Sequence, residues 1–170
     1  MVRGPKKIGF EEKGKMAERS TDVYLPKGGS KEVALCSKCS AFYWNKRWSS
    51  DAAELSAAQA EAGTSTVVCP ACQRMHDDNP AGVLTLSGDY LLQHENEILN
   101  MLKNVEADSR AKNPLARIME INQEKGLLTI ATTDAKLTQK LGKEVYKAHK
   151  GELHFKWSQA DSFIRVNWTR

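Results

Sequence analysis

No stretch of this 170-residue sequence approaches the roughly 18 consecutive apolar residues that a membrane-spanning helix needs. No membrane association is expected. The first residues lack an apolar centre as well. Met1 to Lys15 is polar and basic, unlike a secretory signal, so a cytoplasmic protein is expected. Catalytic signatures are also missing: there is no glycine-rich phosphate loop, no His-Glu-x-x-His pair and no nucleophile elbow. Neither an enzyme nor a small-molecule substrate is therefore expected. Asp77-Asp78 is a paired carboxylate, but it runs into Asn79-Pro80-Ala81-Gly82, where a turn and helix-cap role is the simpler reading. Aromatic residues make up only 7% of the chain, while apolar residues in total reach 41%. That suffices for one ordinary domain, or for a small metal-stapled module beside a compact one.

What the sequence does contain is four cysteines in two pairs, Cys36-x-x-Cys39 and Cys69-x-x-Cys72. In a reducing cytosol disulfides are rare and zinc–thiolate sites common. Each Cys-x-x-Cys turn sets two sulfurs on one side of a tight loop, so two turns supply the four vertices of a tetrahedron. Such a site leaves no position for water and hence no catalytic role for the metal. One structural Zn²⁺ held by Cys36, Cys39, Cys69 and Cys72 is expected. The 29 residues between the pairs exceed the usual separation of roughly 15–20. An inserted helix over about Ser49 to Ala62, begun by Asp51-x-x-Glu54 and followed by Gly63, accounts for the surplus. Lys38 is placed to offset thiolate charge. His76 follows Cys72 by four residues and is read as an ordinary loop histidine. A redox-active Cys-x-x-Cys is the alternative use of these thiols.

Charge is unevenly spread. Residues 1–31 carry eight Lys/Arg against four Asp/Glu, residues 32–113 seven against eleven, and residues 114–170 ten against six. The ends are basic and the middle acidic, so a polyanion would bind through the ends. Residues 1–31 hold few large apolar side chains and read as a basic disordered arm, either solubilising or nucleic-acid-binding. Residues 32–88 form the zinc module, with short strands at Val67-Val68 and Val83 to Leu86 flanking the second pair. An amphipathic helix over 89–113 connects it onward: Leu91, Leu92, Ile98, Leu99, Leu102 and Val105 share a face that only Glu95 interrupts. Asn113-Pro114 ends that helix.

Residues 114–170 read as a small β-β-α-β-β domain. Its strands are Leu115 to Ile121, Leu127 to Thr132, Glu152 to Trp157 and Phe163 to Trp168, with a helix from about Asp134 to His149. On that helix Lys136, Lys140, Lys143 and Lys147 fall within a ~60° arc, opposed to an apolar side of Leu137, Leu141, Val145 and Ala148. The lysine ridge suits phosphate-backbone binding, or is simply a solvated face; Lys150, Lys156 and Arg165 are candidates to extend it. Near the first cysteine pair, Phe42-Tyr43-Trp44-Asn45-Lys46-Arg47-Trp48 mixes rings with cations. The rings suit base stacking, with Lys46 and Arg47 as nucleic-acid-binding residues on the phosphates; alternatively the rings form a mini-core for the module and leave Lys46 and Arg47 as surface contacts. The fold class expected is therefore α+β: a four-cysteine zinc module of ribbon or knuckle type joined by a long helix to the small β-β-α-β-β domain.

Several of these segments together resemble a family. Cys36-Ser37-Lys38-Cys39 followed by Lys46-Arg47-Trp48, then Cys69-Pro70-Ala71-Cys72 leading to Pro80-Ala81-Gly82-Val83-Leu84-Thr85-Leu86-Ser87-Gly88, looks like a group of small bacterial zinc-binding proteins. Those are distantly similar to the nonsense-mediated-decay-three family, the export adaptors of the large ribosomal subunit. Gly126 to Trp168 is similar to the domain that follows the zinc region in that family. The adaptors have more Cys-x-x-Cys pairs, a further β-rich domain and an export tail without counterpart in this sequence, so export is not implied. The resemblance implies association with RNA on the ribosome or an assembling subunit, through rRNA or through ribosomal proteins. The other function expected for such a chain is a regulatory adaptor that docks a protein partner with the zinc module and the long helix.

Overall fold

The computed structural model describes residues 10–12, 24, 32–158 and 163–170. Its larger sheet is built from β6 (Gly82–Ser87), β7 (Ile118–Glu124), β8 (Leu127–Thr132), β9 (Glu152–Trp157) and β10 (Ile164–Thr169), with β1 (Phe10–Glu12) at one edge. The order across it is β1-β9-β10-β6-β8-β7. β10 runs antiparallel to β9 and parallel to β6, and β6 runs antiparallel to β8. Alternation decides which side is buried. Leu84 and Leu86, Leu128 and Ile130, Leu153 and Phe155, and Ile164, Val166 and Trp168 all point to one face.

Two helices cover that face. α3 (Asp89–Lys112) buries Leu91, Ile98, Leu99 and Leu102, and α4 (Ala135–His149) buries Leu137, Leu141 and Val145 in the same core. α4 begins at Asp134, whose carboxylate accepts from the Leu137 amide. Burial pushes that carboxyl above its ordinary value, against the pull of its backbone donors. Gly142 lets α4 sit close to the sheet, since a Cβ there would come within 2.6 Å of Val166. Trp168, 1% exposed, fills the base of the core and donates from Nε1 to the Lys150 carbonyl at 2.5 Å. The opposite face of the sheet, with Thr85, Thr129, Asn167, His154 and Lys156, has no described element packed on it.

The smaller sheet has the order β4-β3-β2-β5, from β2 (Val33–Cys36), β3 (Phe42–Trp44), β4 (Arg47–Ser49) and β5 (Thr64–Val67). β3 and β4 form a hairpin with a two-residue turn, Asn45 at φ 48° and Lys46 at φ 64°, the pairing that a type I′ turn demands. α1 (Ala52–Glu61) then carries the chain back so that β5 pairs with β2 in parallel. Parallel pairing requires a long crossover, and here the crossover is the 29-residue spacer between the cysteine pairs. Asp51 caps α1 by accepting from the amides of Ala53 and Glu54. Glu54 does not complete a capping box; it accepts from Ser49 at 2.6 Å and pairs with Arg47.

Several expectations change. β6 belongs to the larger sheet, between β10 and β8, and α3 packs into that sheet's core along with α4. The long helix is thus part of the larger core, and the β-β-α-β-β order over 114–170 is completed by a central strand from before α3. The spacer contains the hairpin and β5 as well as α1. β7 begins at Ile118, three residues later than expected, because Asn113 starts a turn: its Oδ1 accepts from Leu115 N at 3.1 Å and its carbonyl from Ala116 N at 2.9 Å. Ala148 is exposed, and His149 is buried in its stead, bonded at 3.1 Å to the Tyr90 hydroxyl.

Of the arm over 1–31, only Phe10–Glu12 and Tyr24 are among the described residues. The Tyr24 hydroxyl donates to Asp77 at 2.9 Å and its ring lies 4.5 Å from the Arg74 guanidinium. Among the described residues no helix is long and apolar enough to cross a membrane.

Candidate metal centre

The parallel register of β2 and β5 does the first part of the assembly, setting Cys36 opposite Val67. Two residues further on, Cys69 is therefore delivered beside the first pair. Cys69 is also the N-cap of a short helix, α2 (Pro70–His76), with Pro70 at its first position and the Cys69 sulfur accepting from Cys72 N at 3.4 Å. The second pair thus sits on a helix start rather than in an open loop. The first pair sits in the turn after β2, where Cys36 N bonds to Ala41 O at 2.9 Å.

The four sulfurs lie within 4.8 Å of one another, and none is in a disulfide. Cys39 and Cys69 are 3.7 Å apart. An ion held by four bonds of about 2.3 Å in a tetrahedron requires sulfur separations of about 3.8 Å, which the Cys39–Cys69 distance already matches. Cys36 and Cys69 are buried and the other two are half-buried. Amide donors are aimed at the sulfurs, from Lys38 N at 3.4 Å and Cys69 N at 3.3 Å to Cys36. Burial pushes the Cys36 thiol up, but these donors together outweigh it and bring the group down to about 6. Burial dominates at Cys69 and Cys72, and both are raised. A bound cation would reverse that preference, because its charge favours the thiolates.

The cation the protein itself supplies is Arg117, which its sequence position did not mark. It is only 6% exposed and comes from the turn between α3 and β7. Its guanidinium donates to Cys39 at 3.0 Å and to Cys72 at 3.5 Å, while Nε bonds to Pro114 O at 2.7 Å. Burial opposes the charge, and the contacts to Cys39 and Cys72 outweigh it, so the group is held more firmly protonated than usual. Its backbone is clamped too, with Arg117 N on the Thr133 hydroxyl and Thr133 N on Arg117 O, both at 2.9 Å. Arg117 therefore ties the cysteine cluster to the end of the larger sheet. A divalent ion with four thiolates carries a net charge of −2, and one guanidinium offsets half of it. Lys38, expected in this role, is exposed and contributes its amide. The only hint in the sequence was a lone charge among apolar neighbours, Leu115-Ala116-Arg117-Ile118-Met119.

The remaining candidate residues lie elsewhere. Lys46 and Arg47 are exposed at the β3–β4 hairpin, and Arg47 is engaged with Glu54. Of the rings there, Phe42 is buried at 1%, while Trp44 and Trp48 pack half-buried on the two small cores. On α4, Lys136, Lys143 and Lys147 are exposed; Lys140 is half-buried, its amine 2.9 Å from the Ser109 hydroxyl of α3. Lys156 and Arg165 face each other across β9 and β10 on the side of the sheet away from α4, so they do not extend its ridge. His76 is exposed and bonded to Asp77, outside the cysteine cluster. Asp77 is held below its usual range by His76 and Tyr24.

Compared with family models, curated proteins and solved structures, the chain matches none.

Proposed function

We propose that this chain is a zinc-containing, non-enzymatic RNA-binding protein of the cytoplasm that works on the ribosome or on an assembling subunit. The donor set supports zinc: four sulfurs gathered within 4.8 Å of one another suit a closed thiolate site, and Arg117 covers the cluster from the protein side. Such a site organises structure and offers no coordination position for substrate. The observation that carries RNA binding is the row of exposed lysines on α4. Lys136, Lys143 and Lys147 project from the solvent side of the helix over about 16 Å of its length, with Glu144 as the acid beside Lys147. Cations in such a row suit contact with a phosphate backbone, and residues 114–170 carry ten basic against six acidic side chains. The likeness to the ribosomal export adaptors favours the ribosome as the place where this RNA is met.

Sedimentation of the zinc-loaded protein with cell extract through a sucrose gradient tests this reading. At low salt the protein should travel with ribosomal particles; retention at the top of the gradient would remove the ribosome from the proposal. For purified RNA, the combined change Lys136→Glu, Lys143→Glu and Lys147→Glu should weaken binding and lower the salt slope by about 2–3. An unchanged slope would place the RNA elsewhere on the protein.

A further inference from the structure

A cleft of about 240 Å³ opens between the β3–β4 hairpin and α1. It exists because α1 presents alanine, Ala57 and Ala58, where larger side chains would fill the space against the hairpin. Phe42 and Trp44 form the aromatic wall. One end is closed by Glu54, which Arg47 and Ser49 already engage. At the other end stands Glu61, seven residues and two turns along the same helix face. Glu61 is exposed and makes no ion pair or hydrogen bond with any described residue.

We infer that this cleft is a docking site for a lysine or arginine side chain on a basic segment of a protein partner. Its size is below the range of roughly 300–1,000 Å³ usual for small-molecule pockets and suits one side chain. The apolar stem of such a side chain lies along Ala57 and Ala58, and its charged head meets Glu61. Three further features point to a cation. Glu61 ends α1, where carbonyl groups are left without helical partners, and the last turn of α1 holds no basic residue to answer them. Trp44 lines the cleft, and an aromatic ring there suits a guanidinium or ammonium group. The surrounding residues 32–88 carry four basic against six acidic side chains, before the thiolates are counted. This site lies on a different element from the α4 lysines and so goes beyond the RNA reading.

The test uses the full zinc-loaded chain, isotopically labelled, with amide shifts followed by nuclear magnetic resonance. The probe is a capped Gly-Gly-Arg-Gly-Gly peptide, with its glutamine counterpart and a single-stranded RNA oligonucleotide as comparisons. The arginine peptide should shift the amides of Trp44 to Arg47 and Ala57 to Glu61, and the glutamine peptide should not. Glu61→Gln should weaken that binding by about fivefold, the equivalent of one exposed ion pair. Ala57→Leu, at an exposed helix position that tolerates change, should block the cleft without altering charge. The inference is overturned if the arginine peptide leaves these amides unmoved or the glutamine peptide moves them equally. It is overturned too if both variants bind as the unaltered protein does, or if the oligonucleotide, and not the peptide, shifts these residues.

Discussion

The two sheets of this protein are held together by different means. The larger sheet and its helices bury one contiguous core of 17 residues that includes Trp168, Phe155 and a layer of leucines. The smaller sheet has two separate clusters, Val33, Phe42 and Ala58 in one and Cys36, Ala41, Cys69 and Ala71 in the other. At about 25 cal/mol per Å² of apolar surface, the first core can offset the entropy of ordering its elements. The smaller clusters bury three and four residues, several of them alanine or cysteine, and the larger side chains packed against them, Leu35, Trp44, Trp48 and Leu55, are only partly buried. Small units of this kind need a staple, and the four-cysteine cluster, with Arg117 reaching in from the larger sheet, is where a bound metal would supply one. The contrast is a division of labour: the larger sheet carries its own apolar core, and the smaller sheet gathers four cysteines and leans on Arg117 of its neighbour.

The largest expected effect falls on the metal. Cys69→Ser removes the most buried ligand. Structural zinc contributes apparent binding free energies of about 10–16 kcal/mol in isolated modules, so this variant should lose bound zinc and protection in β2 to β5. The larger sheet should still melt cooperatively; its collapse in the same variant would erase the proposed distinction. Next comes Trp168→Ala, which should lower the stability of the larger sheet by about 3–5 kcal/mol through cavity formation. Zinc content, measured by atomic absorption, should stay at one per chain, and its loss would mean that the two regions unfold as one.

A smaller effect tests the connection itself. Arg117→Met keeps much of the side-chain volume and removes the charge-assisted bonds to sulfur. It should cost about 1.5–3 kcal/mol for each hydrogen bond lost to a charged group that finds no replacement. Its signature should be faster zinc loss to a chelator with little change in the melting of the larger sheet. Zinc release at the unaltered rate would reduce Arg117 to a packing residue.

Parts of this arrangement were legible in the sequence because their causes are local. α3 has its predicted ends because Gly88 and Asn113-Pro114 mark them, and α4 follows Asp134 as a capped amphipathic helix. The four cysteines announced a cluster through their spacing alone. Other features depend on partners far along the chain. β6 showed one buried face in its alternation, yet nothing local says that its parallel partner is β10, with Gly82 opposite Ile164. The spacer between the cysteine pairs reads as a helix because alanines dominate it, while the hairpin depends on positive φ at Asn45 and Lys46, which neither residue requires. Arg117 lies 45 residues from Cys72 and 78 from Cys39, and only the turn set by Asn113 and Thr133 brings it to the sulfurs.

Hydrogen exchange of the whole chain, with and without a zinc chelator, tests the dependence of the smaller sheet on the metal most directly. With zinc bound, the amides of Val33 and Cys36 in the smaller sheet, which donate to Gly63 O and Ala41 O, and of Leu128 and Ile130 in the larger should all be protected. After chelation, protection should vanish for the first two and persist for the last two. Equal protection of Val33 and Cys36 in both conditions would contradict the structural role of the metal.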